Sequence, residues 1–123
     1  MILTGFNDQQ KQTLLDLLVI GMYANGSLTD AKETKIEDVL QTINFTSDSV
    51  RQQFMDASFT RARRHLGSPQ VTRDFVADIA AHFPTPEIRQ KAYNDLEELL
   101  ASDKTAVDKD SQLLAIVKEA FKL

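Results

Sequence analysis

The chain contains no cysteine. Disulfides, thiolate metal sites and cysteine nucleophiles are excluded together, while the redox compartment is left open. Glycine is scarce, with four residues scattered singly, so no glycine-rich loop can cradle a phosphate. Histidine occurs only as His65 and His82, and no HExxH spacing exists. A zinc site would therefore need ligands that this pattern does not supply. No GxSxG elbow marks a serine nucleophile. Long apolar runs are missing too. The longest, "LLVIGMYA", falls far short of the roughly 20 residues that span a bilayer. The opening "MILTGFNDQQ" lacks the basic start and apolar core of a signal peptide. The expectation is a soluble, cytoplasmic protein.

A basic excess is also lacking. Net charge is −4. Residues 7–44 carry three basic and six acidic groups, residues 45–86 five and four, and residues 87–123 six and eight. Both ends are acidic and the middle is slightly basic. A nucleic-acid domain shows the reverse, a clear basic face.

What is present is helical spacing along nearly all of the 123 residues, enough chain for one domain with a real core. No stretch alternates as a strand does. Asn7 with Gln10, and Asp30 with Glu33, have capping-box spacing. Ser68-Pro69 and Thr85-Pro86 each set a capping hydroxyl before a proline at the first helical position. Asp108 is placed to cap the last helix, and Gly26 and Gly67 sit where the chain leaves helices. These signals predict helices over 8–23, 30–44, 48–66, 69–82, 86–101 and 108–121. The first is apolar almost all round, with a narrow polar strip of Gln9, Gln12, Asp16 and Tyr23; such a helix belongs at the centre of a bundle. The third predicts a face of Met55, Phe59, Ala62 and Leu66, and the fourth a face of Val71, Phe75, Ile79 and Phe83.

The chain also echoes itself. Displaced by 78 positions, Leu18 meets Leu96, Met22 meets Leu100, Ile36 meets Leu114, Val39 meets Val117 and Ile43 meets Phe121. Asn25 meets Asp103, and Asp30 meets Asp108. Two helix–turn–helix units with matching faces are thereby predicted to pack against each other.

The stretch "YANGSLTDAKETKIEDVL", residues 23–40, combines an apolar helix, a small residue, a tight turn, an aliphatic residue and an acid-rich helix. With the looser copy "ASDKTAVDKDSQLLAIVKEAF", it resembles the TerB-like family, named for a bacterial tellurite-resistance protein. The resemblance covers most of the chain. It implies an all-α domain with a near-duplicated arrangement, found in stress-associated bacterial systems as an interaction module. It also implies acidic turns as a candidate cation site. The sequence departs from the family's pattern in three places: Asn25 replaces the turn aspartate, Lys104 replaces a glycine, and Val107 stands one place later than Leu28 in the first copy.

The candidate metal constellation is Asn25, Asp30, Glu33, Asp103, Asp108 and Asp110, since hard cations take carboxylate and carbonyl oxygens. The same residues also read as turn formers and helix caps. Asp16, alone in the apolar first helix, is expected to be partly exposed or hydrogen-bonded. Arg61, Arg63, Arg64 and His65 lie near a helix C-terminus, where basic groups favour the helix dipole. His82 is expected at the core edge beside Phe75 and Ile79. The fold expected is an all-α single-domain bundle of six or seven helices. The function expected is a non-enzymatic binding or adaptor module of a bacterial cytoplasm, with no required cofactor and a divalent cation as the option at the turns. Glu37, Asp38, Glu97 and Glu98 would give it a negative surface for a basic protein partner. The rivals are a helical metal-carboxylate enzyme using the same acids, and anion or nucleic-acid binding through the arginines.

Overall fold

Five of the described helices begin where a side chain answers an orphan amide group. The computed structural model describes residues 3–24, 29–102 and 107–123, apart from the side chains of 107–109. Six α-helices and no strand occur among them. Helix α1 spans Asp8–Tyr23; Asn7 Oδ1 accepts from the Gln10 amide at 2.8 Å, and Gln10 Oε1 accepts from the Asn7 amide at 3.1 Å. This is the predicted capping box. Ser47 caps α3 (Asp48–Arg64), Ser68 caps α4 (Pro69–Ala80) and Thr85 caps α5 (Pro86–Ala101), the last two before a proline.

Helix α2 (Asp30–Gln41) corrects one expectation. Its cap is Thr29, whose Oγ1 accepts from the Lys32 amide at 3.3 Å. Asp30 and Glu33 are therefore acids inside the first turn, where they favour the helix dipole without forming a capping box. Helix α6 (Val107–Ala120) already includes Asp108 as its second residue. Gly26 lies outside the described residues. His65, not Gly67, is the C-cap of α3.

Helix α1 is the hub. Leu14, Leu15, Leu17, Leu18, Val19, Ile20, Gly21 and Met22 are all buried. A helix that is apolar all round must be covered all round, and α2, α3, α4 and α5 each pack on it. Helix α6 joins α4 to α5. Phe83 ties the ends together, lying edge-on to Phe6 at 5.8 Å and to Phe121 at 6.0 Å. None of the described helices is long and apolar enough to cross a membrane.

The 78-residue echo is present in the helix boundaries and in burial. Displaced, Asp8–Tyr23 falls on Pro86–Ala101 at both ends. The buried positions Leu14, Leu17, Leu18, Gly21 and Met22 fall on Ala92, Asp95, Leu96, Leu99 and Leu100, all buried. Ile36, Val39 and Ile43 fall on Leu114, Val117 and Phe121, which are half-buried or buried.

Two expectations on α4 are corrected. The stripe facing the core is Thr72, Val76, Ile79 and Ala80, followed by Phe83, while Val71 is exposed. His82 is exposed as well. The helix is turned because Thr72 can be buried without loss: its Oγ1 donates to the His65 carbonyl at 2.7 Å and reaches the Ser68 carbonyl at 3.1 Å. Phe75 is instead taken up by the His65 ring, stacked on it at 4.4 Å.

At Gly21, α1 and α5 approach closely. A Cβ there would lie 2.7 Å from Leu96 Cδ1 and 3.2 Å from Leu99 Cδ2. Alanine gains about 1 kcal/mol in helix propensity, but overpacking a tight core costs about 1–3 kcal/mol. Because those leucines are themselves buried, Gly21→Ala is expected to be net destabilising by about 1 kcal/mol in urea unfolding; a more stable variant would show that the crossing has slack.

Candidate functional site

The predicted metal constellation is only partly placed. Asn25 and Asp103 lie outside the described residues, as do the departures Lys104 and the Val107 side chain, and so does the side chain of Asp108. Asp30 and Glu33 are exposed in the first turn of α2, whereas Asp110 is buried in α6. Among the described residues no three His, Asp or Glu side chains are grouped to hold a metal ion. The position that repeats as Asp110 is Lys32, which is fully buried. Both residues have interaction partners, as buried charges must. Sequence reading passed over Lys32 because lysine near a helix start is ordinarily solvated. The 78-residue match could have flagged it.

The four acids expected to form one negative surface divide between two places. All are exposed. Glu98 of α5 pairs with Lys35 at 4.0 Å on one flank of α2. Glu37 faces the other flank, where its carboxylate accepts from Arg51 Nη2 of α3. On α5, burial raises the Tyr93 hydroxyl pKa above its ordinary 10.0, and the nearby Glu97 charge raises it further.

The flank facing α3 is a groove. Helices α2 and α3 both rest on α1 and hardly touch each other, leaving a cleft of 540 Å³ between them. Its floor and walls are apolar: Met22 from α1, Ile36 and Leu40 from α2, Met55 and Phe59 from α3. Its rim is charged, with Glu33 and Glu37 on one side and Asp48 and Arg51 on the other. The Phe59 ring is braced edge-on by Tyr23 at 6.0 Å. Thus Glu33, Glu37 and Asp48 line one groove around an apolar floor, without being grouped to hold a metal ion. Asp48 and Arg51 escaped sequence reading because they belong to a separate helix and meet Glu37 only across the folded groove.

A second cleft, of 610 Å³, lies between the start of α4 and α6. Leu66, Pro69, Leu113 and Ile116 line it, and its charges, Arg73 and Glu119, balance. It therefore lacks the electrostatic bias of the first.

The basic cluster is dispersed into the fold. Arg61 Nη2 donates to Asp16 Oδ1 at 2.8 Å, and its guanidinium lies 6.0 Å from the Phe54 ring centre. Ser58 Oγ donates to the same Asp16 oxygen at 2.6 Å. Asp16 is thereby the partly exposed, hydrogen-bonded residue expected, a polar clasp between α1 and α3. Arg63 lies over Tyr23 at 5.9 Å. His65 Nδ1 lies 2.6 Å from the Arg61 carbonyl oxygen. Of the three arginines, only Arg63 and Arg64 remain exposed.

Comparison with family models, with curated proteins and with solved structures finds no match for this chain. The TerB-like resemblance rests on the sequence motifs alone.

Two measurements probe this region. Asp16→Ala removes two hydrogen bonds to a carboxylate, one of them an ion pair; because Asp16 and Arg61 are partly exposed, the expected loss is about 1–2 kcal/mol in thermal unfolding. No loss would mean that water replaces the clasp. For Tyr93 the folded state holds its proton more tightly than the unfolded chain does. Stability must then fall as pH rises beyond the ordinary tyrosine pKa of 10.0. Tyr93→Phe should flatten that part of the profile, and an unchanged slope would assign it to other groups.

Proposed function

We propose that this protein is a non-enzymatic binding module that receives a basic, amphipathic helix of a partner protein in the groove between α2 and α3. The carrying observation is the pairing of an apolar floor, on which Phe59 is the half-buried residue, with a rim of three carboxylates and one guanidinium among the described residues. A helix laid in a groove needs apolar anchors at about every third or fourth residue. Met22 and Met55 supply a floor that adapts to such anchors. The excess of acid on the rim selects lysine or arginine on the flanks of the ligand and repels acidic helices. Helix α2 has 12 residues, so its wall is about 18 Å long, enough for roughly three turns of a partner.

The reading keeps the adaptor role drawn from the sequence and moves its contact from the turns to the groove. On the TerB-like resemblance, the setting we propose is a stress-associated system of a bacterial cytoplasm. The rival metal-carboxylate enzyme required three converging carboxylates. Asp30 and Glu33 are exposed and Asp110 is buried, which favours the module instead.

The test uses a fluorescent helical peptide of about four turns, leucine on one face and arginine on the flanks, followed by anisotropy. Saturable binding is expected at low salt. Glu33→Gln combined with Asp48→Asn should weaken it about threefold to tenfold, since rim charges each contribute modestly. A peptide with glutamate in place of arginine should not bind. No binding of the basic peptide at up to about 1 mM, the weakest affinity worth the name, overturns the proposal.

A further inference from the structure

The pair Arg51–Glu37 runs from one wall of the groove to the other. Arg51 is half-buried and Glu37 is exposed, with side-chain exposures of 32% and 51%. An exposed ion pair contributes little to folding, so stability is a weak reason for it to be there. It also places the one cation of the rim among the described residues on a carboxylate that would otherwise face an incoming base. Asp48 stands one turn before Arg51 on the same helix and lines the same groove. An acid and an arginine at that spacing share a helix face and can pair.

We infer that Arg51 is an internal stand-in for a basic side chain of the partner. In the free protein its guanidinium holds Glu37 and closes one side of the groove. When a basic helix docks, an arginine of the partner takes Glu37, and Arg51 turns to Asp48. The Arg51–Glu37 pair is broken and two pairs form, so Glu37 and Asp48 each have a counter-charge, and what docking must overcome is the breaking of the internal bridge. Selectivity follows from the same geometry: only a ligand with a cation at that point of its helix can displace Arg51. A purely apolar helix would dock beneath an intact bridge. The inference rests on the docking proposal above and adds to it the residue that controls entry.

The experiment compares the same basic peptide on five forms of the full chain: the wild type, Arg51→Gln, Glu37→Gln, the double variant Arg51→Gln/Glu37→Gln, and Arg73→Gln. The last removes one exposed positive charge at the other cleft. With the stand-in removed, Arg51→Gln should bind about threefold to tenfold more tightly than wild type. That gain should vanish in the Glu37→Gln background, and Arg73→Gln should not show it. If the wild type binds while Arg51→Gln binds equally or less well, the stand-in is refuted and the groove is retained as the docking site. The stand-in is refuted equally if the gain persists without Glu37 or is matched by Arg73→Gln, because net charge alone then explains it. If neither the wild type nor Arg51→Gln binds, both proposals fall.

Discussion

Everything in this fold is arranged around the need to cover α1. Its eight buried residues occupy every side of the helix but the narrow polar strip of Asp16, and each large aliphatic side chain is stabilised by about 1.5–3 kcal/mol when it leaves water. No single neighbour can cover such a surface. Four helices surround it, and their positions are consequences of sharing one support. The groove has the same origin. Helices α2 and α3 are held where α1 needs them, and the cleft between them is the space left over. The polar clasp of Asp16, Ser58 and Arg61 then fixes α3 on α1 at a point where pure oil-like packing would leave its rotation undetermined.

The sequence made the helices legible because their caps are local. Asn7, Ser68 and Thr85 act on amides three residues away, and that spacing can be read without knowing any other helix. The end of α2 lay three residues short of its expected place because no glycine or proline marks it. On α4, the expected stripe through Val71 failed because it followed apolar residues and skipped Thr72. A threonine with two carbonyls in reach behaves as a core residue, and those carbonyls belong to the preceding turn of chain, where side-chain pattern gives no hint.

The site was less legible for a different reason. Glu33 and Glu37 were recognised as acids of interest, but their meaning depends on what stands opposite. Asp48 and Arg51 come from a separate helix, and no periodicity within α2 announces them. Lys32 shows a related blindness. A buried ammonium can be inferred only when its position is compared with Asp110, its match in the second half. The repeat shows how two like units come to differ. Leucine at the position of Gly21, as at Leu99, would force two branched side chains into one crossing; the glycine gives the space that Leu96 and Leu99 fill.

The central position of α1 also has a consequence for synthesis. Its cover arrives in order along the chain, and α5 begins only after residue 85, some 60 residues behind the end of α1. At about 5–20 residues per second the ribosome needs roughly 3–12 s to supply them. Throughout that interval the most apolar helix of the protein is made but only partly sheltered. The pairing of α1 with α5 is also distant in sequence for an all-helical chain, which slows the search for it after release. The residue order that gives the finished molecule its core gives the nascent one its most vulnerable moment.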